Sequence, residues 1–470
     1  MNSIKKNFIY NIFYQILILF IPIITLPYVS RNLGVENIGI YAYHFSVSVV
    51  FGIFILLGNV NYGNRAIARI SVGTKELISR TFWSIYVIQI LFGLGILIIY
   101  ILYSLFFSDD IKLSLIQGIY LISVILDVNW FFYGLEKFKI TILRNFFIKI
   151  ITLLSIFLLV KNENDIYIYA FILSFSSLLS QLVLWLFIRK YIYFIFPKFD
   201  NIIPHIRSTL LLFIPVIAVS LYVYVSKIIL GNLGNLDEVG YFEYSSRLIA
   251  IPSMAIWSLG TVMFPRISSM IFSGEKDNIF KYIHISFLFS TFLSIPMSFG
   301  IIGIVNEFVP LFFGNNFDKC KILIPILISS SIFVSWAEVI RTQYLLPNRK
   351  DNIYVLSVIY AAVINIIINF LLTPSYGSVG AAIATLITEA FVCLYQVISI
   401  RNELNFSKYI KQSIFFVFIG FIMFLCILCI PKIYNDFFTI LIKMSIGSFI
   451  YMCPCYIYFK NYLKKELCAL

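Results

Sequence analysis

About fourteen stretches of roughly 20 mostly apolar residues, joined by short connections, leave this chain few ways to fold. They fall at roughly 8–29, 40–60, 82–106, 113–135, 140–160, 166–188, 209–231, 240–264, 283–305, 322–346, 353–372, 377–399, 412–431 and 437–459. Inside hydrocarbon a backbone must hydrogen-bond to itself, so each stretch is a helix. Of the 470 residues 61% are hydrophobic and only 12% charged, with a mean hydropathy of +0.95, which excludes a soluble globule. The expected fold is an all-α integral membrane protein with no length left for a soluble domain. The first run is too long for a cleaved leader and has no small-residue cleavage site after it, so it is read as an anchor that stays.

Charge in the connections gives an orientation, because Lys and Arg collect on the cytoplasmic side. The even-numbered connections hold Arg65, Arg69, Lys75 and Arg80; Lys137, Lys139 and Arg144; and Arg189, Lys190, Lys198 and Arg207. They continue with Arg266, Lys276 and Lys281; Arg341, Arg349 and Lys350; and Arg401, Lys408 and Lys411. Lys5, Lys6, Lys460, Lys464 and Lys465 add to the same side at the ends. The odd-numbered connections hold only Arg31, Lys112, Lys161, Lys319, Lys321 and Lys432. Both termini are therefore expected in the cytoplasm. The formal net charge of +13 is mostly this bias and calls for no nucleic-acid partner.

A repeat divides the chain. Leu19-Phe20-Ile21-Pro22 returns as Leu212-Phe213-Ile214-Pro215, and Ile38-Gly39-Ile40-Tyr41-Ala42-Tyr43 returns as Val239-Gly240-Tyr241-Phe242-Glu243-Tyr244. Gly58-Asn59-Val60-Asn61-Tyr62 is matched by Gly260-Thr261-Val262-Met263-Phe264, with Arg65 and Arg266 just after. An even number of crossings per copy inserts both copies in one orientation, as in parallel-repeat transporters. The expected domains are a six-helix bundle at 1–205, a second at 206–405, and two further helices with a cytoplasmic tail at 406–470. Two like-oriented bundles leave a central cleft.

Ionisable residues inside a bilayer are costly and normally face a bundle interior or a water-filled cavity. Here they are His44, Asp127, Lys149, Lys227, Glu243, Arg247, Glu338, Arg341, Glu389 and Lys443. Glu338 and Arg341, three apart on one helix, are expected to pair. Lys443 lies near an interface and can snorkel. Lys149 stands open between packing against Asp127 and lining a lumen. Lys227 and Arg247 flank one outer turn of the second copy and are expected to face each other as an anion site in the cleft. A private pair of Arg247 with Glu243, one turn away, is the competing reading. In the first copy the matching position is Ser46, with His44 where Ser245 stands, so the copies are charged differently. Arg31 at the outer end of the first helix can join the cationic set or serve as an interfacial anchor. Asp127 shares a helical face with Trp130 and Gly134, and Glu389 lies mid-helix. Either carboxylate can carry a coupling proton or sodium ion, or simply balance a lysine.

Enzymatic and cofactor motifs are missing. There is no G-x-x-x-x-G-K-[ST] phosphate loop, and His44, His205 and His284 are too scattered for a metal set. Cys426-x-x-Cys429 sits among Phe, Leu and Ile, without the polar setting thiolate chemistry needs. Gly377-x-x-Gly380 with Ala381, Ala382 and Ala384 reads as a close helix-packing face.

Phe264-Pro265-Arg266-Ile267-Ser268, the opening Leu26-Pro27-Tyr28-Val29-Ser30-Arg31-Asn32-Leu33-Gly34 with Gly39-Ile40-Tyr41, and Asn61-Tyr62-Gly63-Asn64-Arg65 carry a resemblance over essentially the whole chain. The sequence resembles the Wzx-type repeat-unit flippases of the multidrug/oligosaccharidyl-lipid/polysaccharide exporter superfamily. The resemblance implies a MATE-like fold and no enzymatic activity. It also implies transfer of an undecaprenyl-diphosphate-linked oligosaccharide from the inner to the outer leaflet of the bacterial plasma membrane, by alternating access, for capsule or O-antigen synthesis. It places the cationic lumen on Arg31, Lys227 and Arg247, and His44, an intramembrane ionisable residue, is added to the candidate substrate-binding set on its position alone. Membrane lipids, a polysaccharide polymerase and glycosyltransferases are the implied partners. No cofactor is implied beyond coupling to H+, Na+ or the membrane potential. Lipid II flippases carry several arginines in their first two helices, where this chain has only terminal Arg31 and His44. A cation-coupled drug antiporter of the same superfamily would want a carboxylate-dominated cleft, against which Lys227 and Arg247 argue. A membrane polymerase would need a large outer loop that the chain lacks.

Overall fold

The structure is a computed structural model that describes the backbone of residues 2–233, 235–273 and 276–467. Helical side chains are described outside residues 2–20, 211, 255, 258–259, 261–262, 265, 272–278 and 461–467. The loop cations Lys5, Lys6, Lys276, Lys464 and Lys465 lie outside the described side chains.

Every regular element among the described residues is helical. A first unit, Met1–Gly240, contains α1 (Asn2–Leu56), α2 (Asn59–Ile70), α3 (Lys75–Phe106), α4 (Ile111–Ile125), α5 (Asn129–Gly134), α6 (Phe138–Leu159), α7 (Ile166–Ile188) and α8 (Phe199–Leu233). Helix α9 (Leu236–Ser273) begins at its end and continues into the second unit, Tyr241–Leu470. There follow α10 (Lys276–Phe313), α11 (Cys320–Ser329), α12 (Ser331–Ile340), α13 (Asp351–Tyr376), α14 (Ser378–Ser399), α15 (Phe406–Cys429) and α16 (Asp436–Leu467). Among the described residues, 12 helical stretches are long and apolar enough to cross a membrane. The protein is a multi-pass membrane protein. These units follow packing, whereas the expected domains follow the sequence repeat, so α8 here belongs with α1–α7.

The first two apolar runs share α1, which turns at Gly34. There φ is 75°, a left-handed value that a side chain disfavours. Polar side chains cap the starts of α3, α4 and α15. Thr74 accepts from Leu77 N at 3.3 Å, Asp110 from Leu113 N at 2.9 Å, and Asn405 from Lys408 N at 3.3 Å.

The core of the first unit near α2, α3, α5 and α7 is aromatic, with Phe82, Tyr86, Trp130 and Phe131 all buried. A second close contact in this unit joins repeated glycines. A Cβ on Gly39 would lie 1.8 Å from the Leu236 carbonyl oxygen, and one on Gly240 would lie 2.3 Å from that of Val35. The contact is reciprocal, because 35 and 39 stand in the repeat where 236 and 240 do.

In the second unit α13 and α14 form a hairpin turning at Gly377 (φ 57°). Gly380, Ala381, Ala382 and Ala384 are buried there, and a Cβ on Gly380 would meet the Leu372 carbonyl oxygen at 2.6 Å. This is the close-packing face that the spacing predicts. Helices α15 and α16 pack on α10 through Ile295, Phe416, Met423 and Tyr451. Lys443 of α16 does not snorkel. Its Nζ lies 2.5 Å from Glu307 Oε1 of α10, with the two side chains 6% and 14% exposed.

Candidate functional site

The most polar cavity described lies within the first unit, where the fourth apolar run breaks. Helix α4 stops at Ile125 and α5 starts at Asn129, so Asp127 sits in the break and shares no continuous helical face with Trp130 and Gly134. The break holds because its carbonyl groups find donors. Gln89 Nε2 on α3 donates to the carbonyls of Val124, Ile125 and Asp127 at 3.0, 3.0 and 2.9 Å, and Trp185 Nε1 donates to that of Leu126 at 3.0 Å. An apolar run can open only where such partners replace the lost helical bonds.

The Asp127 carboxylate then starts α5. Its Oδ1 accepts from the Asn129 backbone N–H at 2.7 Å and from Asn129 Nδ2 at 2.8 Å. Asn129 Oδ1 in turn accepts from Arg144 Nη2 at 2.9 Å. Arg144 also donates to Asn145 Oδ1 at 2.6 Å and to the Ser180 carbonyl at 3.0 Å. A carboxylate, a carboxamide and a guanidinium thus form one chain across α5, α6 and α7. Arg144 is 7% exposed, on α6. Its loop-cation reading is therefore corrected: it lies inside the fifth apolar run, where it is hydrogen-bonded and buried. The cavity beside this chain measures about 270 Å³ and is lined also by Tyr120, Tyr133, Ser177 and Gln181. An adjoining cavity of about 210 Å³ shares Leu56, Tyr120 and Val124 with it and reaches Asn61 and Ser220.

Of the residues singled out from sequence, Asp127 lies on this cavity. His44 is buried at 5% exposure, with Nδ1 2.9 Å from Ser114 Oγ of α4, inside the helix bundle of the first unit. Arg31 is exposed, three residues before the Gly34 turn. Lys227 on α8 is buried, its Nζ 5.3 Å from the centre of the Tyr224 ring. Lys149 on α6 is half-buried and does not line the polar cavity. Arg247 belongs to the second unit and pairs with Glu243, the private pair that the spacing of four offered. Glu338 and Arg341 also pair, at 2.5 Å. Glu389 is half-buried on α14, next to Thr388. Thr388 Oγ1 accepts from Asn365 Nδ2 of α13 at 3.0 Å, and Asn369 Nδ2 donates to Asn365 Oδ1 at 3.0 Å. Among the described residues no group of three or more His, Cys, Asp or Glu side chains could hold a metal.

Sequence reasoning missed Asn129, Arg144, Asn145 and Gln181. The available signal was the adjacent polar pair Arg144-Asn145 within an otherwise apolar stretch.

The family described as polysaccharide biosynthesis protein matches residues 4–271. The chain belongs to this family. Two relatives are each named "Putative O-antigen transporter". The one from Shigella dysenteriae is 25% identical over 397 residues, which is 81% of this chain and 96% of that protein. The one from Escherichia coli (strain K12) is 23% identical over 408 residues, 85% and 97% of the two chains. Among solved structures, a lipid II flippase in an inward closed conformation superimposes with a TM-score of 0.78 at 18% identity, covering 97% of this chain and 99% of that one. An inward-facing multidrug transporter of the MATE family superimposes with a TM-score of 0.58 at 13% identity, covering 84% and 99%. At such identities the likeness is one of fold. This member of the polysaccharide biosynthesis family has the all-helical MATE-like fold.

Proposed function

We propose that the protein is a flippase that carries a polyprenyl-diphosphate-linked oligosaccharide from the inner to the outer leaflet of a bacterial plasma membrane, by alternating access, with both termini cytoplasmic. The observation that carries this reading is a polar, hydrogen-bonding cavity built among membrane-spanning helices in a chain of a polysaccharide-biosynthesis family. The names of its full-length relatives support it. Glycosyltransferases would supply the lipid-linked unit and a polymerase would consume it, so the protein acts as a carrier and not as an enzyme.

The physical task is to move a diphosphate. Burying one ion in a low-dielectric medium costs on the order of 20 kcal/mol in the Born limit. A cation on the path replaces part of the lost hydration, while the lipid tail stays in the bilayer. Lys227 is the cation we assign to the headgroup. Arg31, in the same unit, meets the headgroup at the outer end, and Arg247 of the second unit is a separate phosphate contact that exchanges its Glu243 partner for phosphate. The loaded carrier is then nearly neutral there, and the empty one returns with its cations drawn inward by the membrane potential. That field is worth roughly 2.3 kcal/mol per charge per 100 mV when fully crossed. Asp127 and Glu389 are the carboxylates available for coupling to H+ or Na+.

Proteoliposomes test this, with a fluorescent short-chain polyprenyl-diphosphate sugar as cargo and an imposed potential. Wild-type flipping is expected to rise with an inside-negative potential, and Lys227→Ala is expected to flatten that response. An identical response in the variant removes the role of Lys227. No flipping of any lipid diphosphate by the wild type removes the function itself.

A further inference from the structure

We propose that the polar cavity between α4, α5, α6 and α7 is a monosaccharide subsite, which takes one neutral sugar ring of the transported glycan. This rests on the flippase reading above and adds to it a place and a chemistry for the sugar.

The charge pattern decides against the other polar ligands. One carboxylate, Asp127, and one guanidinium, Arg144, face the cavity, bridged by the Asn129 carboxamide. Lys149, one turn beyond Asn145 on α6, does not line it. A diphosphate would meet the Asp127 carboxylate, and a free cation would meet the Arg144 guanidinium. A neutral polyol meets neither objection.

The remaining lining suits hydroxyl groups. Gln181 presents a carboxamide with two donors and an acceptor oxygen, Asn145 lines the cavity with its oxygen held by Arg144, and Ser177 adds a hydroxyl. Such planar and paired groups match adjacent hydroxyls of a sugar ring, each of which both donates and accepts. Gln181 Oε1 is buried and accepts no hydrogen bond from any described residue, so its lone pairs are open to a donor that enters the cavity. A sugar hydroxyl is such a donor. The rings of Tyr120 and Tyr133 supply flat apolar walls for the C–H face of a sugar, with a polar tip on each.

Size limits the occupant. A cavity of about 270 Å³ falls just below the range of roughly 300–1,000 Å³ that holds drug-sized ligands, so it admits a single ring and not an oligosaccharide. The adjoining cavity, reached past Leu56, Tyr120 and Val124, has room for a substituent or for the start of the next residue.

Two measurements test the proposal on the full-length protein. The first is saturation-transfer NMR with glucose, galactose, rhamnose and N-acetylglucosamine, each offered alone to the protein in nanodiscs. At least one sugar is expected to give transfer that falls about ten-fold in Gln181→Met, the size of effect that loss of one hydrogen bond to a buried group produces. Ser177→Ala is the second variant, in case Gln181→Met fails to fold, with thermal unfolding as the folding check for both. No transfer from any of the four sugars, or equal transfer in wild type and variants, overturns the subsite.

The second measurement compares flipping of a short-chain polyprenyl diphosphate carrying the sugar that binds with flipping of the same lipid without sugar. The variants are expected to raise the apparent KM for the sugar-bearing lipid about ten-fold and leave the bare lipid unchanged. Equal loss for both lipids overturns the subsite. If the wild type flips neither lipid yet the NMR signal is present and lost in the variants, the flippase reading fails and the sugar site stands.

Discussion

Gly39 shows how much one hydrogen atom can decide. In this chain its backbone lies so close to α9 that a Cβ would sit 1.8 Å from the Leu236 carbonyl oxygen. The obstacle is backbone, which cannot rotate aside as a side chain can. Overpacking of this kind costs typically 1–3 kcal/mol, occasionally more, and the upper end applies here. Gly39→Ala and Gly240→Ala are each expected to lower the thermal unfolding midpoint in detergent by several degrees. A wild-type midpoint in either variant would show that the two helices separate easily. The same scale explains what the sequence could reveal about single residues. Pairs three or four apart on one helix, Glu243–Arg247 and Glu338–Arg341, are readable because helical geometry alone brings them together. Asn129 and Arg144 are not, because their contact depends on the helix breaking between α4 and α5.

At the scale of elements, the apolar runs located nearly every helix, since hydrocarbon allows no other backbone. Their internal events were hidden. The break after α4 is invisible in Leu126-Asp127-Val128, because the donor that stabilises it, Gln89, lies on another helix. The turn at Gly34 was hidden for a different reason: it needs only one residue, so the two runs looked separate while the helix stays almost continuous. The connections between elements carry their own chemistry. Lys350, just before α13, donates to Glu403 Oε1 at 2.5 Å, and the Tyr344 hydroxyl donates to Oε2 of the same carboxylate in the α14–α15 connection. These hydrogen bonds, that from Lys350 first, hold the Glu403 carboxyl below the ordinary glutamate range. A lowered carboxyl pKa stabilises the fold above the ordinary range, and this contribution is lost as pH falls through the lowered value. Both side chains are at least a third exposed, so it amounts to about 0–1 kcal/mol. The gap in unfolding midpoint between wild type and Glu403→Gln is expected to be small at neutral pH and to close on acidification below the carboxylate range. A gap that widens on acidification would contradict the assignment.

On the scale of the whole molecule, α16 is tied to α10 within the second unit by more than apolar contact. Removing one member of a buried ion pair typically costs 3–5 kcal/mol, because the other charge remains without compensation, whereas an apolar replacement of both is often neutral. Lys443→Met and Glu307→Leu are each expected to lower the unfolding midpoint, and the double variant is expected to regain most of the loss. Additive losses in the double variant would mean that the two charges act separately. The all-helical membrane architecture was legible in the order of apolar runs, and its MATE-like character in the motifs that carry the family resemblance. The polar cavity was not, because its members come from α4 to α7 and meet only after those helices pack. Nor could spacing tie Lys443 to Glu307, which precedes it by 136 residues.

That separation has a consequence for biogenesis. At about 5–20 residues per second, a ribosome needs roughly 7–27 s to reach Lys443 after Glu307 has left it. During that delay the nascent chain carries an acid within a membrane-spanning helix and no base to meet it. A lysine entering the bilayer alone is itself disfavoured by about 2.5–3.5 kcal/mol at a helix centre. The last helix therefore gains from entering beside α10, and a chain truncated before it leaves the Glu307 carboxylate without the lysine that meets it in the finished protein.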